Sequence, residues 1–315
     1  MPQKKKIAQR FRMKPATASK TSAQSNLECG GKSAMLSWQV GNVKITRIVE
    51  MDLPVPATVI PQATPPELRK SPWLYPHFVS EDDTTLNLSV HALLIEAPGR
   101  RLVVDTCVGN DRPREITEGR PLATPFLQHL AQAGWSRDNV DAVVCTHLHV
   151  DHVGWNTMLE NGKWTPTFPK ARYLIARREY DFWRTYDDEE QQTMLGDSIK
   201  PIVDAGLVQL VELDHVISPE LRLMPSTGHT PGHVSVMIES KGERAAITGD
   251  MMHHPCQFAH PEWVFGDTDS NAAVLTRSRL FAEWADHNVL VIGTHFPAPT
   301  AGYIVRDGAA FTFAV

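Results

Sequence analysis

The chain has 315 residues, 42% of them hydrophobic, and carries 31 Lys+Arg against 36 Asp+Glu, a formal net charge of −5. That composition excludes collagen-like, coiled-coil and wholly disordered chains, and the length suits a full α/β core. No apolar run reaches the roughly 18–20 residues of a membrane span. Four scattered cysteines (Cys29, Cys107, Cys145, Cys256) show no paired spacing, which points to a reducing compartment and a cytoplasmic location.

The charge is unevenly spread. Residues 1–33 hold eight basic residues and one acid, Glu28, a net +7 that leaves −12 for residues 34–315. The reading is a basic, disordered tail on a single domain from residue 34 to 315, with an organellar transit peptide as the alternative for the tail. A body at −12 lacks the basic face that phosphate neutralisation needs, so nucleic acid is not an expected partner.

In chain order, strand-like segments fall at Met35–Glu50, Asn87–Glu96 and Arg101–Asp105. Between the first two lies Leu53–Pro76, with seven prolines in 24 residues. It is expected to be irregular, as either a binding loop that adds an aromatic pocket wall or a passive connection. A helix is expected over Pro125–Ala133, a buried strand over Ala142–Cys145, another strand over Ala171–Ile175, and acidic helical stretches from Arg177 to Val203. Strands resume at Val208–Leu213, Leu221–Met224, Val234–Glu239 and Ala245–Thr248. An amphipathic helix, Asn271–His287, then leads into the strand Val289–Ile292. Strands in two blocks, each followed by helices, suit two sheets packed face to face with helices outside.

Chemistry concentrates at Thr146-His147-Leu148-His149-Val150-Asp151-His152-Val153-Gly154, where an apolar strand ends. His147 and His149 are two apart, so an extended backbone projects them to the same side. Three imidazoles and a carboxylate within six residues are costly to bury unless something satisfies them, and a divalent metal does so directly. Further ligand-type groups each follow an apolar strand: Gly228-His229-Thr230-Pro231-Gly232-His233, Gly249-Asp250 and Gly293-Thr294-His295.

This ordered set, H-x-H-x-D-H, G-H-T-P-G-H, G-D and a late histidine, resembles the metallo-β-lactamase superfamily across residues 85–295. Within it, the pattern is similar to the N-acyl-homoserine lactonase and methyl parathion hydrolase branch. The resemblance implies an α/β fold, an αββα sandwich of two mixed sheets with a dinuclear site at one edge. Carried over, His147, His149 and His229 would hold the first metal, Asp151, His152 and His295 the second, and Asp250 would bridge them. Three histidines suit zinc, and the Asp/His/His set suits Zn, Mn, Fe or Co. The expected cofactors are thus two divalent ions per chain, most naturally zinc.

Asp105 is expected to orient a ligating group, and Cys107 stands where the family commonly has glycine in Asp-Thr-Gly. His233 reads as a supporting residue. His253, three residues after Asp250, occupies the offset where such lactonases commonly carry a tyrosine. It would polarise a substrate carbonyl or donate a proton, with a backbone-bonded loop histidine as the alternative. Trp155 and Phe296 adjoin the motifs and would form an apolar wall, or simply core.

The expected reaction is hydrolysis of a lactone or carboxylic ester by a hydroxide shared between the metals, with Asp151 or a bound water returning the proton. An organophosphate triesterase, a thioester hydrolase and a β-lactamase share the fold and are the alternatives, the last disfavoured because no cysteine occupies a ligand position. A mononuclear iron dioxygenase is a more distant one. The expected partner is a small ester or lactone; no membrane is implied, and a homodimer stays open.

Overall fold

The structure is a computed structural model and describes residues 35–315. The basic segment 1–33 lies outside the described residues. The first expected strand is in fact a hairpin, β1 (Ser37–Val40) and β2 (Val43–Pro56), because Gly41 takes φ 55° and turns the chain. There follow β3 (Thr85–Ala97), β4 (Arg100–Val104), β5 (Ala142–Cys145), the hairpin β6 (Thr157–Glu160) and β7 (Lys163–Pro166), β8 (Arg172–Ala176) and β9 (Val208–Val211). The second block is β10 (Val216–Ser218), β11 (Leu221–Pro225), β12 (Val234–Ser240), β13 (Glu243–Ile247), β14 (Val289–Ile292), β15 (Ala301–Asp307) and β16 (Ala310–Ala314).

One seven-stranded sheet runs β1-β2-β3-β4-β5-β8-β9 and the other β10-β11-β12-β13-β14-β15-β16. Both are mixed. In the first, β4, β5, β8 and β9 are mutually parallel; in the second, only β13 and β14 are. Alternation along β5 shows how the layers form: Ala142 and Val144 face the inter-sheet core, while Val143 and Cys145 face the outer core. The inter-sheet core joins Ile45, Leu93 and Val104 of one sheet to Leu223, Val236 and Ile247 of the other. Each such buried Val, Leu or Ile contributes roughly 1.5–3 kcal/mol.

Helices clothe both outer faces. Over the first sheet lie α2 (Phe126–Gln132), α3 (Arg177–Trp183), α4 (Glu189–Met194) and α5 (Lys200–Asp204), with a π-turn at Leu195–Ile199 between the last two. Over the second lie α6 (Cys256–Ala259) and α7 (Ser270–Trp284), whose Leu280, Phe281 and Trp284 enter its core. The Asp269 carboxylate caps α7 by accepting the Ala272 N–H at 3.0 Å.

The proline-rich stretch is more regular than expected. β2 continues through Pro54 and Pro56, tolerated because β1 pairs only with Val43–Thr46 and leaves that side of β2 without a ladder to break. A four-residue helix, α1 (Pro65–Leu68), follows with prolines at its first positions. Ile60, Leu68, Leu74 and Phe78 are buried in the core beneath α7, and Trp73 and Tyr75 pack against it. The segment is therefore cladding on the second sheet.

Parallel pairing sets the functional edge. β4 and β5 end side by side, Val104 opposite Val144, so Asp105 and Thr146–His152 emerge together. β13 and β14 end likewise, Ile247 opposite Ile292, and release Asp250 and His295. Carboxyl ends of parallel strands are where open α/β sheets place ligands.

Candidate metal centre

All seven residues expected to hold metal converge at this edge. His147, His149, His229 and Asp250 place one donor atom each within 4.8 Å of one another, and Asp151, His152 and His295 do the same beside them. For five of these donors, His147, His152, His229, His295 and Asp250, an outer hydrogen-bond partner fixes which atom faces inward.

The outward nitrogens are spoken for. His152 Nδ1 donates to Asp105 Oδ2 at 2.8 Å, His295 Nδ1 to the Ser89 carbonyl at 3.1 Å, and His229 Nδ1 faces Asp267 Oδ1 at 3.3 Å. His147 Nδ1 lies 3.0 Å from the Thr146 hydroxyl, which already donates to Asp105 Oδ2, so the ring nitrogen is the donor. With protons outside, the four Nε2 atoms turn lone pairs inward.

His147 Nε2 and His229 Nε2 lie 3.0 and 2.9 Å from His149 Nδ1, which can carry at most one hydrogen. His152 Nε2 and His295 Nε2 face each other at 3.2 Å, so a proton or a metal cation must lie between them and the Asp250 carboxylate. Lone pairs so placed repel unless a cation sits among them. Zinc–nitrogen bonds of about 2.0–2.1 Å in a tetrahedron separate neighbouring nitrogens by roughly 3.3 Å, so the donor set fits such an ion.

Asp250 links the two groups through one oxygen. Its Oδ2 is 3.7 Å from His147 Nε2 and His229 Nε2, and 3.2 Å from His152 Nε2 and His295 Nε2. The Thr294 hydroxyl holds Oδ1 at 3.0 Å. His233 Nε2 accepts the Asp250 N–H at 2.8 Å, and its Nδ1 meets the Ser226 hydroxyl at 2.8 Å, so His233 supports the turn. Gly249 at φ 55° makes that contact feasible, since a Cβ there would lie 2.5 Å from His233 Nε2.

Burial holds His147, His149 and His229 well below the usual imidazole range, which keeps them in the neutral, ligating form. His152 and His295 differ. Burial works against their charge, yet Asp250 and Asp151 outweigh it and raise both above the ordinary value. A proton and a metal cation thus compete for the same carboxylate-rich position.

His253 is buried and points into the centre, its Nε2 3.3 Å from Asp250 Oδ2 and its ring 4.8 Å from Phe265. Its Nδ1 is buried without a hydrogen-bond partner. The adjacent His254 turns the other way, donating to the Phe78 carbonyl at 2.8 Å and tying this loop to the proline-rich cladding. Trp155 and Phe296 pack with other aromatic rings, and the pocket that Trp155 lines with Pro125, Leu127 and Met158 contains none of the donor residues. Trp155 stacks on Phe126 at 5.0 Å, and Phe296 is enclosed by Phe78, Phe258 and Phe313, because both rings follow strand-end turns that point back into the layers.

Two buried acids were not singled out from the sequence. Glu179 accepts from Leu148 N, Gly232 N, the Thr230 hydroxyl and Trp183 Nε1. Glu50 accepts from Val108 N, Gly109 N, Trp155 Nε1 and the Thr124 hydroxyl. Cys107 is buried at φ 54°, the left-handed conformation a glycine would take without strain.

A four-layer sandwich that gathers two adjoining His/Asp donor sets at one sheet edge supports a dinuclear metal site. Residues 86–295 match the metallo-beta-lactamase superfamily, and the chain belongs to it. An N-acyl homoserine lactonase of Bacillus cereus is 27% identical over 208 residues, covering 62% of this chain and 76% of that protein. Among solved structures, a hydrolase of the beta-lactamase superfamily, AbOPH, superposes with a TM-score of 0.74 at 24% identity, covering 89% of this chain and 96% of its own. AidC, a dizinc quorum-quenching lactonase, does so at 0.73 and 20% identity over the same shares. These structural likenesses concern the fold.

Proposed function

We propose that the protein is a dinuclear metal-dependent hydrolase that opens a lactone or cleaves a carboxylic ester. The observation that carries the reading is Asp250 Oδ2, placed 3.2–3.7 Å from four inward-facing imidazole nitrogens of both donor sets. In this reading His147, His149 and His229 hold one ion, Asp151, His152 and His295 the other, and Asp250 belongs to both. Zinc suits the three-histidine set; Mn, Fe or Co would suit the second. When bound, two such ions supply Lewis acidity and a water acidic enough to act as nucleophile at neutral pH.

The chain's own groups supply the rest. His253 borders the centre through Nε2, 3.3 Å from Asp250 Oδ2, where it would meet a substrate oxygen bound beside the donor sets. It is assigned to the substrate carbonyl or the departing alkoxide. Asp151, half-buried, has a carboxylate oxygen 3.5 Å from His295 Nε2 and 3.8 Å from His152 Nε2, and is assigned to returning the proton.

The N-acyl homoserine lactonase relative supports a lactone substrate. Among the described residues the cysteines are buried and none stands in a donor set, which counts against a cysteine-liganded β-lactamase. The test is a panel of homoserine lactones, aryl esters, phosphotriesters and β-lactams assayed with zinc-reconstituted protein. Lactones or esters should be the best substrates, and a preference for phosphotriesters or β-lactams would reassign the reaction.

A further inference from the structure

We infer that two buried carboxylates outside the donor sets, Glu179 and Glu50, each set the geometry of a different metal position. The inference rests on the dinuclear reading above and deepens it. Neither acid reaches a donor atom, so both are positioning residues.

Glu179, at the start of α3, joins loops from both sheets. Its Oε1 takes Leu148 N, the amide between His147 and His149, at 3.0 Å. Its Oε2 takes the Thr230 hydroxyl at 2.7 Å and Gly232 N at 2.9 Å, one and three residues after His229. Oε1 also receives Trp183 Nε1 at 2.6 Å, and that indole lies edge-on to His149 with centroids 5.2 Å apart. The approach is so close that a Cβ on Gly232 would lie 2.2 Å from Glu179 N. Every contact therefore bears on the three-histidine set.

Glu50 serves the other side. It is the extra residue of a β-bulge, where the β2–β3 register slips between Val49 and Met51, and the bulge turns its side chain toward the loop after β4. It accepts Val108 N at 2.7 Å and Trp155 Nε1 at 2.6 Å. Those two segments are stitched to the turn bearing Asp151 and His152 by Thr106 N to His152 O, Gly154 N to Cys107 O and Trp155 N to Thr106 O, each 2.7 Å. Glu50 and Glu179 share no donor. Each fully satisfied carboxylate fixes one loop pair in a low-dielectric interior, where a lost partner is costly.

The test uses the full-length chain and the variants Glu179→Gln and Glu50→Gln, in which an amide NH2 replaces an acceptor against N–H donors. Stepwise zinc dissociation constants are measured by competition with a chromophoric chelator. Cobalt(II) absorption identifies the four-coordinate ion of the three-histidine set. Glu179→Gln should weaken that ion about tenfold or more and leave the other unchanged, and Glu50→Gln should do the reverse. Thr230→Val and Thr124→Val remove one donor each without touching the acids. They should give the same selectivity at smaller size if a glutamine variant does not fold. Two ions in the parent with equal loss, or no loss, in both variants overturns the inference alone. Fewer than two ions in the parent overturns the dinuclear reading and the inference with it.

Discussion

Asp105 Oδ2 lies 2.8 Å from His152 Nδ1 and also 2.8 Å from the Thr146 hydroxyl, which in turn meets His147 Nδ1. Its Oδ1 takes Thr146 N at 2.8 Å. One carboxylate thus orients a histidine of each donor set without approaching a metal position itself. Asp105→Asn swaps one accepting oxygen for a donor and should lower zinc affinity 10–100-fold. Chelator competition on the purified variant checks this, and unchanged affinity would show that the ring orientations are fixed by packing alone.

His147 and His149 supply two of the three nitrogens of one donor set, so replacing both with alanine leaves His229 with Asp250 alone there. The double variant should lose one bound ion and lactone turnover together. Metal analysis beside an initial-rate assay is the check; full activity in the double variant would remove the mechanism.

Gly154 has no room for a side chain, since a Cβ would lie 1.7 Å from the Val108 carbonyl oxygen. Neither backbone can yield without breaking the Gly154 N to Cys107 O bond. Gly154→Ala should therefore cost roughly 3 kcal/mol of stability. Urea unfolding of the metal-free variant measures it, and a loss under about 0.5 kcal/mol would contradict the packing described.

Burial lowers the His254 pKa to about 4, against the opposing pull of the Phe78 carbonyl. An unfolded histidine titrates near pH 6.5, so on acidification the unfolded chain binds this proton first. Stability is then full above about pH 6.5 and falls as pH drops toward 4, by at most roughly 3 kcal/mol for this one group. In metal-free protein, His254→Gln should flatten the slope of unfolding free energy between pH 4.5 and 6.5. An unchanged slope would mean that His254 does not stay neutral in the fold.

What could be read from the chain divides along physical lines. His147 through His152 stand out because dense imidazoles at a strand end have few structural uses, and the strands Ala142–Cys145 and Val289–Ile292 stand out because continuous apolar runs between breakers fit parallel, doubly buried strands. Glu179 does not stand out. Arg177-Arg178-Glu179-Tyr180-Asp181 looks like a solvated helix face, and its meaning comes from partners 31 and 53 residues away. Glu50 is hidden for a related reason, since a bulge reverses the side a strand residue faces and leaves no trace in the alternation. The β6–β7 hairpin carries its own local signal: Asn161-Gly162, at φ 52° and 77°, is a strong two-residue turn pair. The prolines of Leu53–Pro76 suggested irregularity because sequence does not reveal that one side of β2 is an open edge.

The most direct test of the central claim is lactone hydrolysis followed as zinc is added back to the metal-free chain in known equivalents. A dinuclear hydrolase predicts activity that rises and breaks at two equivalents per chain. Activity complete at one equivalent, or two bound ions with no turnover of any lactone or ester, would contradict it.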